Sequence, residues 1–129
     1  MKNKSDPIYH LAVYCLNNDW VVTNRFIDSL IRSLQKTTRM TLDLYLLNNG
    51  IPGQSRKAVN STCLHIYQES VSSNLGYAGG HNYLLKNRPV KKKHRLLILA
   101  NNDLLFTKDF FTRLVSNFEK LPEVFSPIL

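Results

Sequence analysis

The sequence predicts an α/β domain: a three-layer, mostly parallel sheet of four to five strands with helices on both faces. Three observations lead there. Leu96–Ala100 is a continuous apolar run that breaks at once into Asn101-Asn102-Asp103, the pattern of a strand covered on both faces and ending at a ligand-facing loop. Two earlier apolar runs also end in Asn-Asn pairs, Asn17-Asn18 and Asn48-Asn49. Between and after the runs lie stretches of helical period, so strands and helices alternate and right-handed crossovers are implied.

In chain order, Ile8–Leu16 is apolar apart from His10 and is expected as the first strand, stopping at Asn17. No role is assigned to His10. From Asn24, the residues Phe26, Ile27, Leu30, Ile31 and Leu34 form one helical stripe, with Thr23 or Asn24 as the expected cap. Leu42–Leu47 is the second strand. The stretch from Gly50 to Thr62, with Pro52 and Gly53, is expected as a loop with at most one helical turn around Ser55–Val59. Cys63–Tyr67 is a brief third strand, and Gln68–Ser73 a loop.

Asn74–Asn82 carries glycines at 76, 79 and 80. It is expected to lead into a short helix through Tyr83, Leu84 and Leu85 that stops before Pro89. Such glycines permit close backbone approach, and amide groups at a helix start can receive an anion. A tight strand-to-helix turn explains them equally well. The Leu96–Ala100 strand is expected in the middle of the sheet. Thr107 then caps a last helix with Phe110, Phe111, Leu114, Val115 and Phe118 inward, Pro122 ends it, and Val124, Phe125 and Ile128 suggest the beginning of another strand.

A chain of 129 residues fits one domain, residues 1–129, and its 43% hydrophobic content suits an ordinary globular core. The polar start, Met1–Pro7, lacks the apolar stretch of a secretory signal, so a cytoplasmic setting is the default. Cys15 and Cys63 are expected as reduced thiols inside strands. Seventeen Lys and Arg against nine Asp and Glu give a formal charge of +8. Much of the excess is local: Lys86, Arg88, Lys91, Lys92, Lys93 and Arg95. A solvated loop is the plainest account of that cluster, with peripheral contact to an anionic membrane as an added expectation. Nucleic acid is not expected as a partner, because the cluster lacks interleaved aromatic residues.

Asn101 and Asp103 lie two apart, so they share a face if the backbone stays extended. One carboxylate beside an amide suits Mg²⁺, which takes few protein ligands and keeps water and phosphate oxygens. A polar turn would also explain the triplet.

Taken together, these loops resemble family 2 glycosyltransferases of the GT-A fold, rhamnosyltransferase-like branch. Asn74–Asn82 looks like that family's Asn-x-Gly-Tyr/Phe-Ala-Gly-Gly-x-Asn, and Leu99–Asp103 like its Leu-Leu-Asn-Asn/Pro-Asp form of the DxD motif. The resemblance covers essentially the whole chain, as the amino-terminal, Rossmann-like and nucleotide-binding half. It implies binding of a nucleotide-diphosphate sugar with Mg²⁺ or Mn²⁺, for transfer to a glycan or lipid-linked acceptor.

By resemblance, Asp103 contacts the metal and Asn101 lies near the ribose or sugar. Leu16 and Asn17 border the nucleoside, and Asn48 stands where the family's base-binding carboxylate would be. Gly76, Gly79 and Gly80 belong to the donor loop, with Asn82 holding it. The catalytic base is unknown: Glu69, Asp109, Glu119 and Glu123 are the carboxylates weighed, none convincingly. The acceptor-binding half is expected to be missing, transfer by this chain alone is not expected, and an incomplete sheet edge would favour self-association. The alternative is a basic α/β interaction module that keeps the fold and binds no donor.

Overall fold

A computed structural model describes residues 7–54 and 63–120. The fold is α/β, with a four-stranded all-parallel sheet between two helical layers. The strands are β1 (Tyr9–Asn17), β2 (Met40–Asn49), β3 (Leu64–Val71) and β4 (His94–Asn101); the helices are α1 (Trp20–Leu34), α2 (Gly76–Asn87) and α3 (Phe110–Lys120). The strand order is β3-β2-β1-β4. The chain therefore steps outward from β1 through β2 to β3, then returns past β1 to place β4 on its other side.

Alternation along β1 and β2 assigns each face. Leu11, Val13 and Cys15 of β1, with Leu42, Leu44 and Leu46 of β2, join Phe26, Ile27 and Leu30 of α1 and Phe111, Val115 and Phe118 of α3 in the larger core. Ala12, Tyr14, Tyr45 and Leu47 face the other way and pack with Leu84 of α2. Apolar burial on both sides is why β1 and β2 read as nearly unbroken apolar runs.

Several boundaries differ from the sequence reading. α1 starts at Trp20 rather than near Asn24, because Asp19, not Thr23 or Asn24, is the cap: its carboxylate accepts from the Val21 amide at 2.9 Å and the Val22 amide at 3.3 Å. β3 runs on through Gln68, Glu69 and Ser70, expected as loop, since an edge strand needs only one face covered. β4 is an edge strand among the described residues, not a central one, and Leu99 is 45% exposed. Gly79 and Gly80 lie inside α2, not before it. α3 begins at Phe110, so Thr107 lies outside its first turn; the Thr107 hydroxyl donates to Asp109 at 3.1 Å.

Neither cysteine forms a disulfide. Burial, with the Asp103 charge adding to it, pushes the Cys15 thiol up to about 12, which keeps it protonated and inert. Among the described residues no helix is long and apolar enough to cross a membrane. The expected turn at Ser55–Val59 and the expected strand at Val124–Ile128 lie outside the described residues.

Candidate functional site

In an open parallel sheet, a crevice forms where successive crossovers leave in opposite directions, outside the strands' carboxyl ends. Here that point is between β1 and β4, where Leu16 pairs with Asn101. A cleft of about 320 Å³ opens there, lined by Leu16 and Asn18 after β1, Asn49 at the end of β2, Asn74, Gly76 and Tyr77 at the start of α2, and Asn101, Asn102 and Asp103 after β4. The two sequence motifs, separate in the chain, thus share one cavity.

Each wall is tied down by amide side chains. Asn49, 4% exposed, accepts from the Leu75 amide at 2.7 Å and donates to the Gly76 carbonyl at 3.4 Å, so the end of β2 carries the start of α2. Asn74 accepts from the Gly76 amide at 2.7 Å. A helix start leaves four amide groups without intrahelical acceptors. Asn49 and Asn74 meet those of Leu75 and Gly76, and those of Tyr77 and Ala78 remain. On the opposite wall, Asn102 donates to Asn18 at 3.0 Å and to Thr23 at 3.2 Å. The Leu104 amide reaches back to the Asn101 carbonyl at 3.3 Å, so the chain turns rather than staying extended, and Asn101 and Asp103 meet in the cleft through that turn.

The sequence-predicted residues divide into two sets. Leu16, Gly76, Asn101 and Asp103 line the cleft. Asn17 and Asn48 are fully buried, and their amides serve each other: Asn17 donates to Asn48 at 2.9 Å and accepts from the Thr23 hydroxyl at 2.6 Å and the Asp19 amide at 3.1 Å. Asn48 donates to Gln68 at 3.1 Å and Ser70 at 3.0 Å. This network locks β1, β2, β3 and α1 together beneath the cleft.

The glycines also divide. Gly76 adopts φ +76, and a Cβ there would meet nothing within 4 Å, so it serves the turn and leaves open space. At Gly80 a Cβ would lie 2.8 Å from both δ-carbons of Leu16, so the close approach is to the protein's own cleft wall. A Cβ at Gly79 would touch only the Leu75 Cβ, at 3.3 Å. Asn82 is exposed within α2, and the loop-holding role expected of it falls to Asn49 and Asn74.

Asp103 is the one charged residue lining the cleft among the described residues. Among the described residues no three His, Cys, Asp or Glu side chains gather in a metal-binding group. A cation at Asp103 would therefore complete its shell with water and ligand oxygens, a donor set that suits Mg²⁺ or Mn²⁺ bound along with phosphates. The carboxylates weighed as bases lie elsewhere. Glu69 pairs with Arg88 at 3.0 Å, Asp109 with Arg113 at 2.7 Å and Glu119 with Arg39 at 2.5 Å, while Glu123 is outside the described residues.

Sequence reasoning missed Asn18, Asn49, Asn74, Tyr77 and Asn102 as cleft residues. A signal existed for three of them, because Asn18, Asn49 and Asn102 each follow an apolar run. No protein-family model, curated protein or solved structure matches the chain.

Proposed function

We propose that the cleft binds a nucleotide-diphosphate sugar together with Mg²⁺ or Mn²⁺, as the donor site of a glycosyltransferase-type domain acting toward a glycan or lipid-linked acceptor. The observation that carries this reading is the convergence of Gly76-Tyr77 and Asn101–Asp103 on one cleft at the sheet's switch point. The amide of Tyr77, which lines the cleft, and that of Ala78 beside it have no partner among the described residues and suit phosphate oxygens. Asp103 would hold the cation, whose charge offsets the diphosphate. The amides of Asn18, Asn74 and Asn101 suit ribose or sugar hydroxyls. Asn17 and Asn48 support the site from below.

Binding of UDP, dTDP and GDP, each measured by calorimetry with and without Mn²⁺, tests the reading. Enhancement of at least one nucleotide by Mn²⁺, lost in Asp103→Ala, is the expected result. Metal dependence unchanged in that variant would sink the assignment. A second reading, a basic interaction module without a donor, draws on one observation: the cleft has no cation of its own, whereas the basic residues lie around the α2–β4 turn. Failure of all three nucleotides to bind at millimolar concentration would favour it.

A further inference from the structure

On the α2 face of the sheet, away from the cleft, a second cavity of about 250 Å³ lies between Tyr45, Tyr67 and the turn formed by Asn87, Arg88, Pro89, Val90 and Lys91. We propose that this cavity is a binding site for a small organic anion with a single ring, an aryl carboxylate or aryl phosphate. Its size sets the ligand's size: a cavity of about 150 Å³ accommodates benzene, and drug-sized ligands begin near 300 Å³, so one ring and its head group fit.

One wall is aromatic. Tyr45 and Tyr67 are cross-strand partners of β2 and β3, stacked at 5.1 Å with 16° between their planes, and Tyr67 remains 38% exposed. Pro89 and Val90 complete the apolar lining. Lys91 at the rim is exposed and has no ion pair among the described residues, while Arg88 is held by Glu69 at 3.0 Å. Lys86 and Lys92, both exposed, flank the lining turn Asn87–Lys91 in the chain. The sequence reading set nucleic acid aside for want of aromatics interleaved in the basic cluster, but β2 and β3 bring two tyrosines to Arg88 and Lys91 in space.

The far wall is a turn, yet a fixed one. The Tyr14 hydroxyl donates to the Arg88 carbonyl, and Tyr83 donates to Glu69 at 3.2 Å. The Lys91 amide donates to His94 Nδ1 at 3.0 Å, which puts the ring proton on Nε2, and Nε2 donates to Asp43 at 2.8 Å. Asp43 and His94 are both buried. The lysine that would meet the anion therefore stands on backbone anchored through the sheet, so the ordering cost on binding is confined to its side chain.

The test is a set of ¹H–¹⁵N titrations of the full chain with phenyl phosphate, benzoate, inorganic phosphate and benzyl alcohol. Saturable shifts at Tyr67, Val90 and Lys91 are expected with the two aryl anions. Inorganic phosphate and benzyl alcohol should each bind about tenfold more weakly, since each lacks one half of the recognition. Lys91→Gln, at an exposed position that folding does not need, should weaken the aryl anions about tenfold and leave benzyl alcohol unchanged. Tyr67→Phe should retain binding. Equal affinity for phosphate and phenyl phosphate, equal response to benzyl alcohol, shifts spread over all lysines, or no saturation in the millimolar range would each overturn the proposal.

Discussion

Two adjacent helical glycines should respond differently to alanine. At Gly79, a Cβ finds only the Leu75 Cβ at 3.3 Å. There the Leu75 Cβ must give by a few tenths of an ångström, so Gly79→Ala should fall between neutral and a gain of about 0.5–1 kcal/mol in helix propensity. At Gly80, the new Cβ would sit 2.8 Å from both Leu16 δ-carbons, well inside the ~3.5–4.0 Å optimum for carbon contacts. Leu16 must rotate or α2 must lift, and overpacking of this kind costs about 1–3 kcal/mol against the same propensity gain. Gly80→Ala should therefore be neutral to destabilising by about 2 kcal/mol. Urea denaturation at constant m reads the difference as a midpoint shift. Truncating Leu16 removes the obstacle, so Leu16→Ala with Gly80→Ala should be more stable than the sum of the two single variants implies. If Gly80→Ala stabilises as much as Gly79→Ala, the close packing of α2 on Leu16 is wrong, and with it the account of that cleft wall.

Asn49→Ala removes the acceptor of the Leu75 amide, and should cost about 1–3 kcal/mol in urea denaturation while weakening any nucleotide binding in the cleft; retention of both would show that α2 is positioned by packing alone. Burial holds the His81 imidazole below its ordinary 6.5. The folded state therefore disfavours its proton, and this contribution to stability is full above about pH 6.5 and lost as pH falls toward the lowered value. Urea midpoints at pH 7.5 and 5.5 should drop with acid in the wild type and less in His81→Phe. Burial alone would raise the Asp43 carboxyl, but the His94 hydrogen bond and the Lys93 charge outweigh it and leave it lowered. Its stabilising contribution is thus lost only in strong acid, below about pH 4, and the drop in urea midpoint below that pH should be smaller in Asp43→Asn.

The alternation of strands and helices was legible because β1, β2 and the α1 and α3 stripes carry their periods plainly. Rank within the sheet was not. A continuous apolar run says that a strand is apolar, and Leu96–Ala100 is, yet its place at an edge among the described strands depends on which side of β1 the chain returns to, which no local pattern records. β3 was cut short for the converse reason. Gln68, Glu69 and Ser70 read as loop, whereas their polar groups are occupied by Gln54, Asn48, Tyr83 and Arg88. In α1, the β-branched Val21 and Val22 obscured a start that Asp19 marks. At the site, the Asn-Asn-Asp triplet located the cleft correctly, but which asparagine of each pair faces it is decided by strand pleat. Asn17 and Asn48, register partners, turn inward to each other, and Asn18 and Asn49 line the cavity.

The charge distribution separates the two cavities chemically. The cleft offers amides and a single carboxylate, so a multiply charged anion there meets repulsion from Asp103 unless a cation comes with it. The Tyr45–Tyr67 cavity has the opposite balance: no carboxylate is among its described lining residues, Arg88 is paired with Glu69 and Lys91 is unpaired among the described residues, so an anion there needs no metal. Added Mn²⁺ should accordingly raise nucleotide affinity at the cleft and leave phenyl phosphate binding unchanged. Chelation by EDTA should abolish only the first effect. A phenyl phosphate affinity that rose with Mn²⁺ and fell in Asp103→Ala would place that ligand in the cleft as well, and would collapse the two sites into one.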